Sequence, residues 1–189
     1  MAVAIEQQQN KIHPKRFALW LGIAAIVMLF ASLTSAYIVR QGAGDWKSFK
    51  IPTIFWVNTI VILASSGTIQ WAVNAHKKYN DSAYKLAITL TTLLGAAFLV
   101  GQYIGWIDLM KNGNFIDGNP AESFFYVIPG IHAVHILGGL IVLVVMTIRA
   151  FVKPFNPNKL LGVELIATYW HFVDFLWIYL FIFLQIKFS

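Results

Sequence analysis

Residues 161–187 read LGVELIATYWHFVDFLWIYLFIFLQIK, and only Glu164, Asp174 and Lys187 among them carry charge at neutral pH. As a helix, a run of this length rises about 40 Å, more than the ~30 Å hydrocarbon core of a bilayer. A histidine and an aspartate in the middle of such a run are costly in lipid, and are kept where they pair, bind something or handle protons. The stretch therefore predicts both a membrane-spanning helix and the position of the polar centre.

Working outward, four more runs are long and apolar enough to span: 17–39, 53–73, 86–109 and 124–148, before the last at 161–187. With 58% of its 189 residues hydrophobic and 12% charged, the chain is far from the composition of a soluble domain. A barrel needs segments of about 10 residues that alternate apolar and polar side chains, whereas these runs are apolar on every side. The expected fold is an all-α integral membrane protein, a bundle of five transmembrane helices in one domain over 17–189, preceded by a disordered polar tail, 1–16. Lys15 and Arg16 before an apolar run, with Thr34-Ser35-Ala36 after it, also resemble a cleavable signal, but the run continues to Val39 and is read as a retained helix.

The net charge of +6 does not indicate nucleic acid, because the basic residues lie in the connectors, where they set orientation. Nine of them (Lys11, Lys15, Arg16, Lys77, Lys78, Lys85, Arg149, Lys153, Lys159) fall on one side and five (Arg40, Lys47, Lys50, Lys111, Lys187) on the other. The expectation is N-terminus inside, C-terminus outside. Zero cysteines exclude disulfides, thiolate metal sites and iron-sulfur ligation.

The connectors carry turn residues, as at Asn112-Gly113-Asn114, so consecutive helices should be antiparallel neighbours. Small residues cluster at Ala64-Ser65-Ser66-Gly67-Thr68, at Gly101 and Gly105, and at Gly138-Gly139, a pattern of close helix contact within the chain or of a homodimer face. Pro129-Gly130 should kink the fourth helix or mark where regular helix begins. Trp46, Trp56, Trp71, Tyr79, Tyr84 and Trp106 fall near span ends; Trp56, Trp71, Trp170, Trp177 and Arg40 are candidates for lipid or interface contact.

Helical rise assigns depths to the polar groups. His132 and His135 lie roughly 12 and 16 Å from the outer end of their span, and His171 and Asp174 about 15 and 20 Å from the inner end of theirs. Antiparallel packing would bring His135 level with His171 and His132 level with Asp174. Spacings of three, and of seven from Glu164 to His171, place these groups on shared faces. A polar seam between the fourth and fifth helices, with Glu164 at its inner end, is the expected core. It could serve as a structural network, as a His-ligated metal or haem site, or in proton or lipid-headgroup handling. No nucleophile elbow, phosphate-binding loop or dinucleotide fingerprint is present, so an independent active site is not expected.

At these residues the chain resembles subunit III of the haem-copper respiratory oxidases. Tyr169-Trp170-His171-Phe172-Val173-Asp174 with Trp177 is similar to that family's W-H-F-V-D-x-x-W signature. Gly130-Ile131-His132-Ala133-Val134-His135 with Gly138 resembles its G-x-H-x-x-H-x-x-x-G segment, and Asn58-Thr59, Leu63-Ala64-Ser65 and Trp71-Ala72 resemble its N-T-x-x-x-L-A-S...W-A stretch. The similarity runs from Arg16 to Phe188 and matches the last five of the seven helices that many members have.

Two departures stand out. Ile26 occupies the place where the family often has a membrane-embedded glutamate, and Gly105 the place of another. The resemblance implies a cofactor-free accessory subunit III of a bacterial plasma-membrane oxidase, cytochrome c or quinol, that reduces oxygen to water and pumps protons. Haem and copper would lie in partner subunits: a catalytic subunit I, a subunit II and small additional subunits. This chain would steady subunit I, bind phospholipid and support proton uptake, with His132, His135, Glu164, His171 and Asp174 as its polar core. The alternatives are an accessory subunit of a nitric oxide reductase in the same family, or a membrane metal or haem enzyme.

Overall fold

The computed structural model describes residues 13–42, 51–113, 115–116, 119–156 and 160–188. They form five helices and, among the described residues, no strand: α1 Pro14–Gln41, α2 Ile54–Lys77, α3 Asp81–Lys111, α4 Pro120–Val152 and α5 Leu160–Phe188. All five are long and apolar enough to cross a membrane, as the runs of apolar residues require. The first twelve residues of the expected tail, Trp46, Lys47, Lys50, Lys159 and Ser189 lie outside the described residues.

Each helix outlasts its apolar run by a few residues, because the polar ends cap it. Pro14 and Pro120 sit in the first turns of α1 and α4, where a missing N–H costs nothing; the His13 and Asn119 side chains accept from the freed N–H groups of Lys15 and Ala121. Between α2 and α3 the turn is only Lys78-Tyr79-Asn80. Tyr79 takes a left-handed conformation (φ 56°), Asn80 N–H reaches back to the Ala75 carbonyl at 3.0 Å and Tyr79 N–H to that of His76 at 3.1 Å. This is the Schellman closure with a tyrosine where glycine is usual. Asn80 then caps α3 by accepting from Ala83 N–H, so one residue ends one helix and starts the next.

Pro129 lies inside α4, so it does not mark the start of regular helix. The helices α2, α3, α4 and α5 close a ring in which α2 packs on α3 and α5, and α4 on α3 and α5; α1 lies outside the ring, against α4 and α5. The ring interior is filled by Phe55, Ile62, Phe98, Ile128, Trp170 and Trp177. Close approach rests on small residues. A Cβ at Gly105 would come within 2.8 Å of the Phe55 ring, one at Gly95 within 2.8 Å of Trp170, and one at Gly101 would overlap Asn58. The Gly101/Gly105 pair is thus occupied by α2 of the same chain and is not a free homodimer face.

Hydroxyls staple the helices at depth. Thr68 and Thr91 join α2 to α3 at 2.8 Å, Thr92 and Thr147 join α3 to α4 at 3.0 Å. The Trp170 indole N–H donates to Ser65 Oγ at 2.8 Å and that of Trp177 to Thr59 Oγ1 at 3.1 Å.

Candidate functional site

α5 carries the polar centre, and its partners lie mainly on α2. His171 and Asp174 both project from α5 toward the α2 side. The Ser66 hydroxyl donates to His171 Nδ1 at 2.6 Å, and His171 Nε2–H donates to Gln70 Oε1 at 3.2 Å. Gln70 is oriented in turn by its Nε2 donating to Asn74 Oδ1 at 3.3 Å. These bonds make His171 the Nε2–H tautomer, with both ring nitrogens engaged.

One turn along α5, Asp174 is 2% exposed. Neither carboxyl oxygen makes a well-formed hydrogen bond, and the Ser66 hydroxyl lies alongside the group. Toward the other end of the track, Glu164 is held by two cations: Arg16 of α1 at 3.0 Å and Lys77 of α2 at 3.2 Å. This clamp ties three helices together at one membrane face. Between clamp and His171 runs a cleft of about 320 Å³ whose polar lining includes Gln70, Thr168 and His171, with Trp20 of α1 on its wall.

The histidines of α4 go elsewhere. His132 is fully buried in an aromatic box, its ring 5.3 Å from Trp177, 6.1 Å from Phe98 and 6.2 Å from Phe30; neither ring nitrogen has a partner. His135 is half-buried, donates from Nδ1 to the Ile131 carbonyl of its own helix at 2.8 Å and faces Phe30 of α1 at 5.7 Å. Helical rise placed the levels well, since Tyr169 O–H donates to the His135 carbonyl at 3.0 Å. His171, two positions after Tyr169, points about 200° away round α5, so it meets α2 and not His135. The bonded seam lies between α2 and α5, not between the fourth and fifth helices.

Sequence reasoning missed Ser66 and Gln70. Ser66 sat in a cluster of small residues read as packing, and Gln70 was one polar group in an apolar run; their spacing of four was the available signal. Trp170 and Trp177 need correction as lipid or interface candidates: they are 0% and 1% exposed, because their rings fill the ring interior and their N–H groups find hydroxyls on α2. Trp56 and Trp71 are exposed, Trp56 also packing on Phe181 at 4.8 Å, and Arg40 is half-buried. Among the described residues no three His, Cys, Asp or Glu side chains are grouped as metal ligands.

A second, larger cleft of about 850 Å³ lies between α1, α4 and α5. Ile141, Val145 and Met146 form its apolar wall, and Lys15, Arg149 and Lys153 make its rim net basic, with His76 and Asp81 also lining the cleft.

Compared with known proteins, residues 15–188 match the model of the family described as cytochrome c oxidase subunit III. The chain belongs to that family. It is 35% identical over 164 residues to cytochrome c oxidase subunit 3 of Corynebacterium diphtheriae, covering 82% of this chain and 80% of that protein. The probable cytochrome c oxidase subunit 3 of Nocardia farcinica is 34% identical over 173 residues, covering 86% and 82%. With the probable subunit 3 of Rickettsia felis, identity is 35% over 161 residues, but only 56% of that longer protein is covered. The chain thus matches the first two of these relatives along most of their length. The motifs on α2, α4 and α5 that resembled the family lie within the matched span, as do nearly all residues of the five helices long and apolar enough to cross a membrane.

Proposed function

We propose that this chain is a cofactor-free accessory subunit III of a bacterial haem-copper respiratory oxidase, set in the plasma membrane against the catalytic subunit. The observation that carries this reading is the family match over 15–188. The ring of α2 to α5 is a packed scaffold with its aromatic and hydroxyl contacts turned inward, which suits a steadying role. Oxygen reduction and proton pumping belong, on this reading, to partner subunits that hold haem and copper, with cytochrome c or quinol as donor.

The 850 Å³ cleft supports phospholipid binding: its apolar wall suits an acyl chain and the rim of Lys15, Arg149 and Lys153 an anionic headgroup. That rim shares a face with Arg16 and Lys77, the face the excess of basic residues assigns to the inside. The polar track from Glu164 to Asp174 supports a role in proton supply that does not use the α1 position, where Ile26 stands.

The test is mild-detergent purification of the tagged chain, with identification of co-purifying proteins and a haem spectrum. Oxidase catalytic subunits and their haem are expected. A chain that purifies alone, with a haem or metal of its own, would overturn the reading; a nitric oxide reductase partner would move it to that complex.

A further inference from the structure

A supporting subunit leaves two features of α5 without a role: the 320 Å³ cleft that descends from the Arg16–Glu164–Lys77 clamp to His171, and the buried carboxyl one turn beyond it. We propose that the cleft is an aqueous inlet and that Asp174 is a proton-exchange site at its blind end, reached through Ser66 and His171 from the membrane face at which the clamp lies.

Polar side chains within a bilayer face a packed interior or water. Gln70 is exposed and His171 and Thr168 are half-buried, so they are not packed away. The cleft that joins them is large enough for several waters, each needing about 30 Å³, and its mouth bears two cations and a carboxylate. Water entering there meets the His171 Nε2–H···Gln70 pair at the floor, and takes the proton when Gln70, which is exposed, swings aside.

From that floor the Gln70–His171–Ser66 hydrogen bonds set the direction of a relay, which Ser66, lying beside the buried Asp174 carboxyl, extends to it when the carboxyl turns to bond the hydroxyl. With the carboxyl protonated, Asp174 O–H passes its proton to Ser66 Oγ as Ser66 passes its own to His171 Nδ1, and His171 releases the Nε2 proton to cleft water. The products are an Asp174 carboxylate, a neutral His171 carrying the proton on Nδ1, and one proton in water. Reversal reloads the site. Beyond Asp174 the next residues on this side of α5 are Trp177, tied to Thr59, and the buried Phe181 and Leu184. Among the described residues no hydrogen bond leads onward from Asp174, so the path is blind.

The titratable and charged groups around the path are few. α1 contributes Arg16 at the mouth; α2 contributes Lys77; α4 contributes His132, whose ring lies on Trp177, and His135, turned to Phe30; α5 contributes Glu164 and His171. The inference names the groups behind the proton-supply part of the functional reading, yet it needs only the folded chain in a membrane, so the two fail separately.

The chain has no cysteine, so each single substitution introduces its one thiol, and labelling is read on this subunit after the intact complex is separated into its subunits. Ser66→Cys, Ile62→Cys one turn deeper, and Lys78→Cys as a marker of the clamp face would be exposed to a membrane-impermeant methanethiosulfonate in right-side-out and inverted vesicles. Ser66→Cys should react from the same face as Lys78→Cys and Ile62→Cys should not react; Gln70→Cys replaces Ser66→Cys should that variant fail to assemble. Infrared spectra supply the second arm. The carboxylic C=O band that Asp174→Asn removes should shift on transfer to D2O, and His171→Phe should slow that shift about tenfold, a barrier change of about 1.4 kcal/mol, while His135→Phe leaves it unchanged. A Ser66→Cys and Gln70→Cys pair that stays unlabelled while Lys78→Cys reacts, labelling from the opposite face, or exchange at the original rate in His171→Phe would each overturn the proposal.

Discussion

Gly101 of α3 and Asn58 of α2 are fitted to one another: the Asn58 amide fills the space a Cβ on Gly101 would take, while its Nδ2 reaches the Phe98 carbonyl at 3.4 Å. Gly101→Ala should therefore displace a buried amide and its helix, costing about 1 to 3 kcal/mol, as overpacking does. Gly67→Ala, where a Cβ meets nothing within 4 Å, should be neutral or slightly stabilising. Thermal unfolding of the two variants in the same detergent checks the contrast.

Trp170 is expected to be a main support of the ring. Its ring packs on Gly95 and Gly139 and its N–H holds Ser65, so Trp170→Ala should cost about 3 to 5 kcal/mol. Trp170→Phe keeps much of the ring but strands the donor's partner and should cost less. Retention of the subunit in detergent-purified material measures both, and equal retention of the alanine variant and the unaltered protein would contradict the placement.

Tyr79 pays a conformational penalty in the α2–α3 turn. Tyr79→Gly should stabilise by about 1 kcal/mol, because glycine adopts the left-handed conformation without the steric cost a side chain incurs. Chemical denaturation of both forms gives the sign.

The clamp is only partly shielded: its carboxylate side chain is 28% exposed, Arg16 54% and Lys77 50%. Glu164→Gln should consequently cost no more than about 1 kcal/mol, with the difference shrinking as salt rises. A large, salt-insensitive loss would show that the three charges act as a buried unit.

Asp174→Asn should leave the fold nearly intact, since Asp174 makes no well-formed hydrogen bond whose loss would strand a partner. Ile26→Ala, at a half-buried position packed on the core, should cost about 1 kcal/mol, less than truncation of a fully buried isoleucine. Subunit stoichiometry of the purified complex, with both variants side by side, tests this; dissociation of the Asp174→Asn subunit would contradict it.

Hydropathy made the five spans legible before any coordinates, because a segment long enough to cross lipid must satisfy its own backbone as helix. Levels were legible too: the fixed rise per residue put His135 beside the Tyr169–His171 turn, and the clamp residue Glu164 near one membrane face. The small-residue pairs foretold close contact, and the motifs around His132 and His171 pointed to the family later found across 15–188.

What the sequence alone determined is therefore the class of fold, the order of the polar groups along their helices and the family. Only the tertiary structure decided direction. Rotation of α5 about its axis, set by Trp170 and Trp177 seeking hydroxyls on α2 and space beside glycines on α3 and α4, turns His171 and Asp174 toward Ser66 and Gln70 and away from the α4 histidines. An apolar-all-round helix carries no amphipathic stripe to reveal that rotation. It is fixed by the fit of side chains from three helices at once, which periodicity along one chain does not contain.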